Sequence, residues 1–559
     1  MTTVIDLFKD RLQKDPDTVI YRFWENGGIS DQLSAADLDG RARAVAAQLQ
    51  EITSPGDRVI IALPQSLHPI TAFFACMFTR TVAVPIPLPA INRLEGMKQY
   101  LADAGCRVII SLSSISSQLK LEAQASGLED LHWINVDESS PRTANTFQPL
   151  QPSPDDPALM FYTSGSTNFP RGIIVTQGNV VASINATSFY FGKIPHINAI
   201  YWTPLHHCLG LLFALQVLGY QGAILLFSPQ AFIQKPITWL KLISEYRANA
   251  SLGPLFAYRL CAEAVKPEER QGLDLSSWKI AMSGGEPVRL DVMRQFTQAY
   301  EPHGFSAKAF APTYGLSESL GGFHAEMNVG AKIAWIRSEA LEQRRLEECN
   351  EGELGARSFA SNGKALPGYE VRIVDPDTRR ECTAQEIGEI WLSGPAIARG
   401  YWHKPEETEV FFNAHLDTGE GPYLRTGDLG FLKHGELYPC GRLKDIIIIN
   451  GRNLSAIDIE LAAAGAHPAL MPGAVAAFGI ERDGGEKVVL MHEARPGQEQ
   501  VDVNEVARCV RSAISEKINI PLYAFVLLKP GNLPRSATGK IQRFLARNRY
   551  LESLGGQVK

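Results

Sequence analysis

Cysteine is scarce in this 559-residue sequence: there are eight, and none has C-x-x-C spacing. That excludes a disulfide framework and a cysteine-rich zinc site, and it points to a reduced, cytoplasmic compartment. An excess of one charge sign is also lacking. Lys and Arg number 54 against 60 Asp and Glu, a net charge of −6, which gives no reason to expect a nucleic-acid or anionic-membrane partner. No long apolar run is present. The most apolar region, 59–88, is broken by Pro64, Gln65, His68, Pro69 and Arg80, so no membrane span is expected. Residues 1–17 alternate apolar and charged side chains at helical spacing and lack the apolar core of a signal peptide. Tandem repeats, low-complexity tracts and the Walker pattern G-x-x-x-x-G-K-[ST] are missing too. The last absence argues against a P-loop ATPase.

What is present is the balance of a globular chain, 45% apolar and 20% charged, long enough for about three or four packing units. Short β-rich runs alternate with helical ones for most of its length. Strands are expected at 58–63 (RVIIAL), 82–87 (VAVPIP), 107–112, 132–136, 158–163, 199–204, 222–229, 278–285 and 309–315, with helices such as 67–78 and 236–249 between them. Continuous apolar strands linked by helices predict an α/β fold of mainly parallel sheets covered on both faces. After residue 360 the texture changes to antiparallel strands, 369–378 and 386–394, joined by turn chemistry at Asp375, Pro376 and Asp377. From Ile457 it becomes α+β. The expected division is a large domain over 1–443, with a β-rich part at about 364–443, and a small α+β domain over 444–559.

The strongest local signal is 161–172, FYTSGSTNFPRG. A strand runs into Thr163, Ser164, Gly165, Ser166 and Thr167, and the cation Arg171 follows. Glycine permits close backbone approach, hydroxyls donate, and free N–H groups form an anion nest, so the loop suits a polyphosphate. At the end of that nest Arg171 is expected to meet the β- and γ-phosphates. Small residues with one or two charges recur at other predicted strand ends: Ser283, Gly284, Gly285, Glu286 and Pro287; Tyr314, Gly315, Leu316, Ser317 and Glu318; YLRTGD ending at Asp428; and GRLKDIIIINGR over 441–452. The C-terminus adds LPRSATGK ending at Lys540. Strand ends are where open α/β sheets bind ligands.

These collinear motifs resemble the acyl-adenylate-forming superfamily: acyl-CoA synthetases, nonribosomal adenylation domains and luciferases. Within it, the segments 228–261, 273–289 and 441–453 are similar to the fatty acyl-AMP ligases (fatty acyl-acyl carrier protein ligases). So is the long stretch between Glu318 and Gly363, which resembles that family's insertion, at about 323–362 here, with a charged helix expected over 338–348. The resemblance implies that a fatty acid attacks the α-phosphate of ATP to give acyl-AMP and pyrophosphate, and that the phosphopantetheine thiol of an acyl carrier protein then displaces AMP. It implies that Lys540 bridges carboxylate and α-phosphate, and that Glu318, with Thr163, holds Mg²⁺. Ser317 and Thr163 would face phosphate oxygens and Asp428 the ribose hydroxyls, with Arg442 at the nucleotide. Gly284, Gly285, Glu286, Pro287, Tyr314 and Gly315 would form the adenine slot. Lys444 would be the hinge about which a mobile small domain swings between half-reactions.

The pattern is not followed everywhere. Asn168 and Arg171 stand where the family has Gly and Lys. His207 and Cys208 stand where it has a His-Asp pair, and Phe213 and Ala214 where it tends to have two glycines. His207, Cys208 and Phe213 would line the acyl pocket, and the Phe213 ring would shorten it in favour of medium or short chains, each buried methylene being worth ~0.8 kcal/mol. The basic stretch 529–550, with Lys529, Arg535, Lys540, Arg543, Arg547 and Arg549, would steer an acidic carrier protein. Two other readings stay open: an acyl- or aryl-CoA synthetase, and a non-catalytic relative that binds acyl chains or nucleotide.

Overall fold

The computed structural model describes residues 2–87, 94–140, 142–163, 171–192, 194–449, 452–482, 485–535 and 539–555. Two large sheets organise the first four hundred residues. One has nine strands in the order Lys364–Ala365, Gly321–His324, Phe310–Leu316, Ile280–Ser283, Ala250–Gly253, Ile197–Tyr201, Gly222–Phe227, Val19–Glu25 and Gly28–Ser34. Its central pairs are parallel and only its edges are antiparallel. The other has seven strands around the parallel set Val82–Pro85, Arg58–Ile61, Val108–Ser111 and His132–Asn135. Interior strands such as Gly222–Phe227 and Ile280–Ser283 are buried at every position, which is why they read as unbroken apolar runs. Helix His68–Thr79 packs against the strands Arg58–Ile61 and Val82–Pro85 and is buried almost all round. No helix among the described residues is long and apolar enough to cross a membrane.

The antiparallel texture after residue 360 is a four-stranded sheet, Glu370–Val374, Gly388–Ser393, Leu424–Lys433 and Glu436–Arg442. A short turn, Leu443–Asp445, follows its last strand. Beyond it, strands Leu470–Arg482, Gly485–Ala494 and Ala524–Leu528 form a separate small sheet. Its faces pack into clusters of their own, one around Ile459, Leu490, Val506 and Val510, the other around Phe478, Ala546 and Tyr550.

One expected helix is cut short. The charged run 338–348 is helical only over Ser338–Glu342. Arg344 takes a positive φ of 54°, and Leu346 then donates its N–H to the Gln385 carbonyl at 2.7 Å. Arg345 and Glu348 bridge to Glu386 and Ile336. Backbone partners from the neighbouring strands replace the helical ones, a tertiary effect that overrides the good helix propensity of these residues.

Candidate functional site

The site forms where the Phe310–Leu316 strand, the hairpin turn after it and the Leu424–Lys433 strand converge. Asp428 and Arg442 are directly opposed across an antiparallel pair. Asp428 is 5% exposed, with Arg442 Nε 2.8 Å from its Oδ1 and the Tyr314 hydroxyl donating to Oδ2 at 3.0 Å. The guanidinium is close but poorly aligned, so Oδ1 accepts no hydrogen bond among the described residues. A buried carboxylate oxygen with an unmet acceptor fits a pair of sugar hydroxyls. Asp428 in turn holds the Arg442 guanidinium above its ordinary pKa, and burial followed by the Asp428 charge raises the Tyr314 phenol well above its own.

Glu318 follows the same strand. Its Oε1 accepts from the Tyr401 hydroxyl at 3.1 Å, and burial raises the carboxyl above the usual range. A carboxylate with spare lone pairs in a buried place fits a hard cation that takes its remaining ligands from phosphates and water. No group of three or more His, Cys, Asp or Glu able to hold a metal occurs among the described residues. Ser317 lies beside it, its Oγ 2.8 Å from the Cys208 sulfur. Burial pushes the Cys208 thiol up to about 12, so it is a neutral thiol. His207 caps the Cys208–Leu215 helix, its Nδ1 accepting from Leu209 N–H at 3.2 Å. Burial, then the Lys540 charge, lowers it to about 4, so it is a neutral imidazole.

Lys540 arrives from the far end of the chain. Its ammonium donates to the Gly285 carbonyl at 3.2 Å, within the fields of Arg442, Asp428, Glu286 and Asp445. Burial and then Arg442 pull its pKa down to about 8. Gly539 permits the approach: its φ is +79° and a Cβ there would lie 3.2 Å from the Phe256 ring. At Gly284 a Cβ would meet Thr313 Oγ1 at 2.2 Å, so only glycine lets these two strand ends close up. Glu286 Oε1 accepts from the Phe256 N–H at 2.7 Å, which ties this loop to the Leu255–Ala264 helix. Pro287 is exposed on the rim, and Gly315 sits opposite Gly322 in the hairpin. Lys444 lies in the turn after Arg442.

Ser164, Gly165, Ser166 and Thr167 lie outside the described residues, as do Asn168 and the side chain of Thr163. Arg171 is described, with its guanidinium engaged by protein partners. It pairs with Glu407 at 2.8 Å, and its guanidinium stacks 5.2 Å from the Tyr401 ring centroid and 5.6 Å from that of Phe411. A planar fork that pairs and stacks at once is something lysine cannot copy. Arg171→Lys is therefore expected to cost about 1–2 kcal/mol of stability, read as a lowered unfolding midpoint.

Within the basic stretch 529–550, Lys529, Arg535 and Arg549 are exposed, while the other cations are engaged by neighbouring groups. Arg543 is forked onto Glu460 at 2.7 Å and reaches Asp445 at 3.0 Å, while Arg535 lies 3.6 Å from Glu493. Arg547 and Arg549 donate to the carbonyls of Gly479 and Asn532. Helix Arg543–Gly555 packs on the small sheet.

Sequence reading missed two ties between the insertion and the C-terminal region. Arg452 is forked onto Glu342, both bonds at 2.8 Å, and Asn453 donates to the Glu342 carbonyl at 3.1 Å. Arg357 donates to Asp458 at 2.6 Å. Around them lies a cavity of about 460 Å³ lined by Leu341, Phe359, Leu429, Leu443, Leu454 and Ile518. The joint is polar-tied and loosely packed. No sequence signal marks these pairs, because the partners are about a hundred residues apart.

The AMP-binding enzyme family model matches residues 8–402. The chain is 37% identical over 567 residues to the medium-chain-fatty-acid–[acyl-carrier-protein] ligase JamA of Moorena producens, covering 99% of this chain and 95% of that protein. It is 32% identical to the long-chain-fatty-acid–AMP ligase FadD26 of Mycobacterium tuberculosis, covering 98% and 97%. Its fold is similar to the crystal structure of the fatty acyl-adenylate ligase from L. pneumophila in complex with acyl adenylate and pyrophosphate, with a TM-score of 0.76, 31% identity and coverage of 98% and 96%.

Proposed function

The chain belongs to the AMP-binding enzyme family, in its fatty acyl-AMP ligase branch, and on that premise we propose that it condenses a fatty acid with ATP to acyl-AMP and pyrophosphate, then passes the acyl group to the phosphopantetheine thiol of an acyl carrier protein. The observation that carries this reading is the meeting of Lys540 with Gly285, Asp428 and Arg442 from distant parts of the chain. A binding module would have no use for an ammonium brought to the nucleotide end of the sheet.

In this reading Asp428 takes the ribose hydroxyls through its unmet oxygen, with Arg442 and Tyr314 holding the carboxylate in place. The slot bounded by Gly284, Gly285, Tyr314 and Gly315 receives adenine. Glu318, oriented by Tyr401, would hold Mg²⁺ together with Thr163. The ion, when bound, offsets charge on the phosphates. Lys540 aligns the two anions, the acid and the α-phosphate, which is the main task of the first half-reaction. Cys208, His207 and Phe213 stand on the acyl side.

Thiol transfer then requires Lys540 to leave, with residues 444–559 turning about Lys444. The two insertion ties hold that region where adenylation occurs. They favour a carrier-protein thiol, which enters as a narrow arm, over free CoA. Glu342→Gln combined with Asp458→Asn is expected to raise acyl-CoA formation about 5- to 20-fold, since each partly exposed pair is worth roughly 0.2–1 kcal/mol or more when desolvated. Adenylation should change little. Rates measured side by side with CoA and holo-carrier protein decide this.

The test of the whole reading is carboxylate-dependent ATP–pyrophosphate exchange over a panel of fatty acids, followed by trapping with holo-carrier protein. Exchange with no acid would overturn it. Faster transfer to CoA than to carrier protein would move the chain to the synthetases.

A further inference from the structure

The cavity of about 460 Å³ beside the insertion has walls from both sides of Lys444. Leu341, Phe359 and Leu429 line it from the large domain, and Ile448, Leu454 and Ile518 from the C-terminal region. Its size falls within the ~300–1,000 Å³ range of small-molecule sites. Its apolar side chains are aliphatic apart from Phe359 and Cys440. Ile448 is exposed, so the apolar wall continues to the molecular surface.

Most of the charged side chains that line the cavity are already paired. Glu342 is held by Arg452, Asp458 by Arg357 and Arg344 by Asp377. Lys517 differs. It is exposed in the last turn of the helix Val503–Ile518, and its ammonium donates to the Ala462 carbonyl at 3.0 Å. Ala462 also lines the cavity, which places the ammonium at its edge. Among the described residues no carboxylate forms an ion pair with Lys517. A lysine ammonium has three donors, so capacity remains for an anion.

An aliphatic chamber with a spare positive charge at its edge matches an alkyl chain that ends in a carboxylate. Resting on the domain movement read above, we propose that this joint is a second fatty-acid site, distinct from the catalytic one, and that an acid bound in it holds the adenylation arrangement and slows thiol transfer. The coupling follows from the walls. A turn of residues 444–559 about Lys444 separates the two walls and dissolves the site, so the ligand binds one arrangement and not the other. Any step that needs the turn is then slowed by a factor of 1 + [L]/Kd, about elevenfold at ten times Kd. Adenylation needs no turn and is not slowed.

Dodecanoic acid is the probe. It is titrated calorimetrically into enzyme whose catalytic site is filled with a non-hydrolysable acyl-adenylate analogue, where one further equivalent should bind. Transfer from supplied acyl-adenylate to holo-carrier protein is then followed as the acid is raised. Expected is inhibition that excess acyl-adenylate does not relieve, with an inhibition constant equal to the calorimetric Kd. Dodecanol, which lacks the charge, should bind more weakly. Lys517→Glu turns attraction into repulsion and should weaken both binding and inhibition by about fivefold or more. Leu341→Trp, which fills the cavity from the insertion side, should abolish both. Should Leu341→Trp fail to fold, Lys517→Glu carries the test, because its side chain is exposed. No binding beyond the catalytic site, binding without slower transfer, or inhibition unchanged in Lys517→Glu overturns the proposal alone. Enzyme that takes up no acyl-adenylate analogue overturns the adenylation reading and this proposal with it.

Discussion

Lys540→Ala is expected to lower acyl-AMP formation by about 10²–10³-fold while leaving transfer from supplied acyl-adenylate to holo-carrier protein nearly intact. The ammonium is held at the Gly285 carbonyl with Arg442 and Asp428 in its field, where an incoming carboxylate and α-phosphate need a positive charge between them. In the second half-reaction that charge has no anion pair to align. Its pH dependence gives an independent signature. Burial and Arg442 hold Lys540 at about 8, so the free enzyme carries the charged form below that value and loses it above. In wild type, kcat/KM for pyrophosphate exchange should therefore fall as pH rises through about 8. Thiol transfer should lack that inflection. Lys540→Arg should move it out of range, because a guanidinium stays protonated. Equal loss of both half-reactions in Lys540→Ala would remove Lys540 from this role.

Asp428→Ala is expected to raise the KM for ATP by roughly 10²–10³-fold, because removing one partner of a buried charge pair costs about 3–5 kcal/mol. Two effects add. The ribose loses an acceptor in a site where its hydroxyls have no equal alternative, and the Arg442 guanidinium is left uncompensated beside Lys540. That second effect predicts a further drop in the Lys540 pKa, so the alkaline limb of the exchange profile should move to lower pH. Tyr314→Phe removes only the 3.0 Å hydroxyl bond to Asp428 and should cost about tenfold or less, near 1–1.5 kcal/mol. Isothermal titration with ATP separates lost affinity from lost turnover. An Asp428→Ala variant that binds ATP normally would mean the carboxylate serves Arg442 alone.

Much of the fold was legible because buried parallel strands must be apolar at every position, and runs such as 222–227 and 280–283 say so without a neighbour in view. The texture change near residue 360 was equally local, since antiparallel strands and their turn residues write their own pattern. Glu318, Asp428 and Lys540 stood out because the motifs around them resemble those of the acyl-adenylate-forming superfamily. Contacts made through space were illegible. Nothing local marks the pairing of Arg171 with Glu407 and with the Tyr401 and Phe411 rings. The run 338–348 has the propensity of a longer helix, yet Gln385 and Glu386 take its backbone from residue 345 onward. Periodicity and propensity act between near neighbours in the chain and so are written in the sequence; pairing, stacking and desolvation depend on distances that only the folded chain sets.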